Sequence, residues 1–158
     1  MKKSQTDFIV EKAAELGASR LCPVFTRNTN STRINLDRMR ANVVEASEQC
    51  QRLTVPAIDE PVTLKRLMAG WPVDRRLLVL DETGAGQPIA KALAGLRKGS
   101  DGIFHECGFL TGPEGGFDKA ELDALRKLDF VTGVGLGPRV LRAETAAIAA
   151  LSCWQALL

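Results

Sequence analysis

A single histidine, His105, stands in 158 residues, which excludes a histidine-rich metal site and leaves any serine–histidine triad resting on one residue with no G-x-S-x-G partner. It sits beside Glu106 in a strand candidate, where a structural or surface role outweighs catalysis. Cys22, Cys50, Cys107 and Cys153 form no C-x-x-C pair, and no secretory segment is read ahead of them, so reduced, mostly buried thiols are expected rather than disulfides or a zinc site. Net charge is also small, at +2. Residues 1–52 carry nine Lys/Arg against six Asp/Glu, a balance of +3, and the remainder twelve against thirteen, a balance of −1. That mild basic bias is compatible with an anionic partner. The most apolar segment, 146–158, is shorter than the about 20 residues a membrane span needs, so it is expected in the core or against a second subunit.

Two glycine signatures are missing as well. Gly133, Gly135 and Gly137 alternate, but Pro138-Arg139 stands where G-x-G-x-x-G needs its third glycine, which disfavours a Rossmann dinucleotide site. Gly112-Pro-Glu-Gly-Gly-Phe117 has no lysine in the Walker position, so nucleotide-triphosphate hydrolysis loses its main support.

What is present is a pair of glycine-proline loops, Leu110-Thr-Gly-Pro-Glu-Gly-Gly-Phe117 and Val134-Gly-Leu-Gly-Pro-Arg-Val-Leu-Arg-Ala-Glu-Thr145, each ending an apolar strand candidate. Glycine lets backbone approach a ligand and proline stiffens the loop, so both read as backbone-lined binding loops. The first carries Glu114, the second Arg139, Arg142 and Glu144.

Length and composition (45% apolar, 25% charged) describe one globular domain, 1–158. Apolar spacing predicts helices over residues 4–16, about 37–51 with Asn35 or Leu36 near the start, 62–68 and 88–96 with Pro88 in the first turn. It predicts two more after Asp118 and over about 143–157. Asp118 with Glu121 forms a capping box, and Ala120, Ala124, Leu125 and Leu128 a buried stripe. Strands are predicted at 20–25, 54–58 (broken by Pro56), 76–80, 102–110 and 130–136. Such alternation argues for an α/β domain with a mainly parallel sheet covered on both faces, and ligands gather at the carboxyl ends of its strands. Three loops answer that description: 81–86, 111–117 and 137–142.

Gly112-Pro-Glu-Gly-Gly116 and Leu136-Gly-Pro-Arg-Val-Leu-Arg-Ala-Glu-Thr145, with Val10-Glu-Lys-Ala-Ala-Glu-Leu-Gly17 and Glu45-Ala-Ser-Glu-Gln-Cys-Gln-Arg52, resemble the RsmE family of the SPOUT methyltransferase superfamily over essentially the whole chain. The resemblance implies a parallel sheet with a C-terminal trefoil knot, an exception to the rule against threaded chains. It also implies a cytoplasmic homodimer with the site at its interface, bound S-adenosylmethionine, no metal, and methylation of N3 of a uridine in 16S ribosomal RNA of the small subunit.

Carried onto this chain, the implied cofactor residues are Leu80, Thr111, Gly112, Pro113, Glu114, Gly115, Gly116, Leu136, Gly137, Arg139, Val140 and Leu141, with the three leucines as apolar walls. Arg142, Glu144 and Glu114 are the implied catalytic residues: Arg142 for charge stabilisation, the glutamates for orientation or proton acceptance. An acidic residue in a first helical turn also suits the helix dipole, which weighs equally for Glu144. Arg27 and Arg139 are placed toward the RNA, and Glu48, Gln49 and Arg52 toward the RNA substrate cleft or the dimer interface, although helical spacing of Glu45, Glu48 and Arg52 alone would read as a solvated face. Arg139 could equally pair with Glu114. Arg20, Arg33, Arg38 and Arg40 suit phosphates or solubility.

Four departures from the family are visible. Its usual small PUA-like RNA-binding domain has no counterpart here, so the chain is expected to bind cofactor and dimerise yet methylate naked RNA poorly. A Thr-Glu-Arg-Ser-like run is replaced by Thr26-Arg-Asn-Thr29, and Gln51 and Ala143 stand for a frequent glycine and threonine. The alternatives are a SPOUT transfer-RNA ribose methyltransferase, against which the Leu-Arg-x-Glu-Thr run argues, and a noncatalytic RNA-binding or assembly module.

Overall fold

A strand that is apolar at every position must be covered on both faces, and Leu77-Leu-Val-Leu80 is such a strand. The computed structural model describes residues 5–30, 33–98, 103–104 and 106–157; His105 lies outside them. In chain order the elements are α1 (Gln5–Glu15), β1 (Arg20–Leu21), β2 (Val24–Phe25), α2 (Leu36–Gln49), β3 (Ala57–Ile58), β4 (Val62–Thr63), α3 (Leu64–Gly70), β5 (Arg76–Leu80), β6 (Gln87–Pro88), α4 (Ile89–Ala94), β7 (Arg97–Lys98), β8 (Ile103–Phe104), β9 (Cys107–Leu110), α5 (Lys119–Leu125), β10 (Val131–Gly135) and α6 (Ala143–Gln155).

The central sheet runs β6-β10-β5-β9 and every pairing in it is parallel. Successive residues of β5 serve opposite layers. Leu78 and Leu80 pack with Ile89, Leu93, Val134 and Ala150 on one face. Leu77 and Val79 pack with Leu64, Leu110, Leu122 and Leu125 on the other. Helices α4 and α6 therefore cover one side and α3 and α5 the other. A third cluster joins α1 to α2 through Val10, Ala14, Met39, Val43 and Ala46.

Gly86, beside the alternating glycines of β10, has a packing role. A Cβ on Gly86 would stand 2.6 Å from the backbone carbonyl carbon of Val134, and Gly86 also lies against Gly133 and Gly135. Only glycine allows the chain entering β6 to run this close to β10.

Several predicted boundaries shift for identifiable reasons. The 20–25 strand is split at Cys22-Pro23 into two pieces, β1 pairing with β3 and β2 with β4, because Pro23 has no N–H to donate. Pro56 shortens the 54–58 strand to Ala57–Ile58. Thr63 caps α3 by accepting from Arg66 N at 3.3 Å, so Val62–Thr63 is strand rather than helix. Pro88 is extended at the end of β6 and precedes α4 instead of opening it. Ile103–Phe104 pairs antiparallel with β7, and the sheet strand begins only at Cys107.

The capping box of α5 is present as predicted; of its predicted stripe Leu125 is buried and Leu128 packs against the same cluster, while Ala120 is exposed and Leu122 is buried in addition. Helix α6 buries only Ala146, Ala147 and Ala150 fully. The cysteines are free but not mostly buried: Cys50 and Cys153 are exposed and Cys22 and Cys107 half-buried. Burial pushes the Cys107 thiol up to about 11.

Helix α2 ends with a residue in the wrong conformational region for its type. Gln51, following the cap Cys50, adopts φ +59°, while the N–H of Arg52 reaches back to Ser47 O at 2.9 Å. This is a left-handed helix stop, normally a glycine position. It accounts for the departure at residue 51. Gln51→Gly is expected to stabilise the fold by about 0.5–1 kcal/mol, the left-handed strain relieved less the extra freedom of glycine in the unfolded chain. Denaturant unfolding checks this, and an unchanged or lowered midpoint would refute it.

Candidate functional site

Parallel pairing with Leu80 opposite Val134 and Val79 opposite Leu110 brings the carboxyl ends of β5, β10 and β9 level. The three following loops converge on one cleft of about 820 Å³, a size typical of small-molecule sites. Leu80, Thr111, Gly112, Pro113, Glu114, Leu136, Gly137, Arg139, Val140 and Leu141 line it, as do Arg142 and Ala143. Of the cofactor residues expected from sequence, Gly115 and Gly116 are outside the lining. They shape the loop instead: Gly116 N–H donates to Pro113 O at 2.9 Å, and both carbonyls accept from Asn28 Nδ2, at 3.2 and 3.1 Å. Gly137 turns the third loop at φ +108°, a conformation that side chains rarely adopt.

The loops are tied to one another and to the scaffold. Thr111 Oγ1 donates to Ala143 O at 3.4 Å, linking the second loop to the start of α6. In the first loop, Asp81 is a buried carboxylate at the very end of β5. It accepts from Thr83 N at 2.9 Å, Thr83 Oγ1 at 2.5 Å and Arg126 Nη2 at 2.8 Å. Burial alone would raise the Asp81 pKa, but the Thr83 and Arg126 hydrogen bonds outweigh it and hold the carboxyl below its ordinary value. Sequence reading reached this loop without assigning Asp81, Thr83, Asn28 or Arg126. An Asp-x-Thr-Gly run after an apolar strand was a usable turn signal. Nothing in the sequence links Arg126 to it.

The implied catalytic residues divide. Arg142 and Glu114 are exposed and line the cleft. Glu144, in the first turn of α6, does not line it. Its Oε2 is buried and has no hydrogen-bond partner among the described residues, an arrangement that costs free energy unless a donor arrives.

The implied RNA residues are more scattered. Arg139 lines the cleft, whereas Arg27, Glu48, Gln49 and Arg52 do not. Arg52 Nη1 donates to Ala14 O at 2.6 Å and Ala18 O at 2.9 Å, so within this chain it closes the end of α1. Arg27 pairs with Asp118 at 3.2 Å, and its N–H donates to Glu121 at 2.9 Å. Glu48 and Gln49 are exposed at the end of α2. Among the other arginines, Arg20 pairs with Asp59, Arg38 with the buried Asp7, and Arg40 with Asp37 and Glu60.

A model of the RNA methyltransferase domain matches residues 1–155. Ribosomal RNA small subunit methyltransferase E of Rickettsia conorii is 29% identical over 152 residues, 96% of this chain and 59% of that protein. The protein of the same name from Bacillus subtilis is 30% identical over 161 residues, 96% of this chain and 60% of its own length. The chain thus spans about three fifths of the length of these curated relatives. A solved ribosomal RNA small subunit methyltransferase E from Neisseria gonorrhoeae, bound to S-adenosyl methionine, superposes with a TM-score of 0.79 at 28% identity, over 97% of this chain and 61% of that one.

The Asp81 network makes an acid-stability prediction. Because the folded carboxyl is held below its ordinary value, its contribution is complete above about pH 4 and is lost as pH falls through the folded value. Asp81→Asn should therefore be less stable than wild type near neutrality, with the two melting curves converging below about pH 4. Parallel curves across that range would refute it.

Proposed function

The chain belongs to the RNA methyltransferase domain family, and on that premise we propose that residues 1–158 act as one SPOUT methyltransferase domain that moves a methyl group from S-adenosylmethionine to N3 of a uridine in 16S ribosomal RNA. The observation that carries this reading is the convergence of the 81–86, 111–117 and 136–142 loops on one cleft. The relatives' names supply the ribosomal substrate, and the uridine N3 target rests on the family resemblance. The Neisseria structure, described as bound to S-adenosyl methionine, supplies the cofactor.

The residues present suit such a cofactor. Leu80, Leu136 and Leu141 offer apolar surface, and the glycine loops offer backbone N–H and C=O groups, each well-made hydrogen bond contributing about 1 kcal/mol net. When bound, the cofactor supplies an activated methyl on a sulfonium. The protein must then align uracil N3 with that methyl, which lowers the barrier by several kcal/mol, and remove the N3 proton. Arg142 at the mouth of the cleft stabilises charge growing on the flanking carbonyl oxygens. Glu114, which lines the cleft, accepts or orients the N3 proton, with Glu144, outside the lining and with an Oε2 that lacks a donor among the described residues, as the second candidate.

The finer architecture belongs to the same reading. Placement of β10 between β5 and β6 supports a C-terminal trefoil knot. The incompletely covered α6, with Phe8 of α1 exposed, supports a homodimer. In that assembly Glu48 and Gln49, exposed at the end of α2, would face the dimer interface or the substrate. A ribosomal substrate implies a cytoplasmic enzyme. Among the described residues no helix is long and apolar enough to cross a membrane.

The test is nucleoside mass spectrometry of unmethylated small subunits incubated with the chain and methyl-labelled S-adenosylmethionine. N3-methyluridine is expected, and its rate of formation should fall about 100-fold or more in Arg142→Ala. Label on ribose, on another base or on transfer RNA instead would contradict the proposal. No label with either protein would favour the noncatalytic alternative.

A further inference from the structure

We infer that Arg126 is a positioning residue for the cofactor site, acting through Asp81 and Thr83 to hold the 81–86 loop in its binding shape. Arg126 caps the carboxyl end of α5, outside the cleft lining. Its Nη2 donates both to Asp81 Oδ2 at 2.8 Å and to Thr83 Oγ1 at 3.1 Å. The Thr83 hydroxyl in turn donates to Asp81 Oδ1 at 2.5 Å and accepts from Ala85 N at 3.4 Å. One guanidinium therefore closes a network that fixes successive turns of the loop from Asp81 to Ala85.

The network differs in kind from an ordinary surface ion pair. The Asp81 side chain is only 2% exposed, against 41% for Arg126, so loss of the guanidinium strands a buried carboxylate rather than a solvated one. The loop must then rearrange to hydrate it. Leu80, Asp81, Glu82 and Thr83 all line the cleft, and the Glu82 carboxylate rests against Gly116 of the second loop. A turn at Asp81 thus disturbs the cleft wall and the contact between two of its loops.

Helix α5 makes this a two-ended brace. At its other end, Asp118 and Glu121 bind the Arg27 guanidinium and N–H, and the adjacent Asn28 holds the Gly115 and Gly116 carbonyls. The seven residues of α5 therefore set the spacing between the first and second loops. Neither end contributes a group to the cleft lining.

The inference rests on the reading of the cleft as an S-adenosylmethionine site, and the test separates the two. Titration calorimetry would measure S-adenosylhomocysteine binding to wild type, Arg126→Ala, Arg126→Lys, Thr83→Ala and Val43→Ala. Val43 lies in the α1–α2 cluster, so its variant reports general destabilisation alone. If the unpinned loop holds its binding shape about a tenth of the time, Arg126→Ala binds about tenfold more weakly. Lysine should restore part of that loss. Thr83→Ala, which keeps the Asp81–Arg126 pair, should bind more weakly than wild type by a smaller factor and covers the case in which Arg126→Ala fails to fold. Val43→Ala should lose thermal stability but keep wild-type affinity.

Wild-type affinity in folded Arg126→Ala or in Thr83→Ala, or equal weakening in Val43→Ala, would overturn the positioning role while leaving the cofactor site intact. Failure of folded wild type to bind would overturn both.

Discussion

The cleft exists because Val131–Gly135 pairs in parallel with Arg76–Leu80, inserting the last strand between two earlier ones. This pairing is long-range: the chain must return to the sheet centre after building its edge, and such contacts repay loop-closure entropy only once made. It fixes the register that brings three strand ends level, and its closeness to β6 depends on glycine at 86, where a Cβ would meet the backbone of Val134 and Gly135. Larger side chains there would move β10 away from β6 and separate the loops that β10, β5 and β9 deliver.

The cleft also depends on how its loops are held. Glycine makes a loop capable of close approach to a ligand but also makes it entropically costly to order. Here the order comes from outside the loops: Asn28 on the second, Ala143 O on the second through Thr111, and Arg126 on the first. Binding is favoured when such ordering precedes the ligand.

How much of this was legible in the sequence follows from the range of each interaction. The fully apolar run 77–80 and the capping box at Asp118 are local, and both are found where the residue pattern puts them. The loops at the strand ends were legible for the same reason, and their convergence follows from parallel pairing. The break at Pro23 follows locally from its missing N–H, whereas Pro88 ends a strand because it pairs with Gly135 of β10, a partner nearly fifty residues away. The stripe of α5 was legible in part: Leu125 is buried and Leu128 packs against the same cluster, whereas Ala120 is exposed and Leu122 is buried in addition. That Arg52 closes α1 within this chain depends on Ala14 and Ala18, over thirty residues away, and could not be read from the helix that precedes it. Arg126 gave no sign at all, since its partners lie 45 and 43 residues earlier. The positive φ at Gln51 was signalled by a single departure from family pattern, and its physical meaning needed the backbone.

The central claim is that three loops, each set by a different strand, act as one cofactor site. Hydrogen–deuterium exchange with and without S-adenosylmethionine tests it most directly, since it reports each loop's backbone separately. The account expects residues 81–86, 111–117 and 136–142 to gain protection together, with α2 and the β1–β3 pair unchanged. Protection confined to one loop, or appearing first in the α1–α2 cluster, would contradict it.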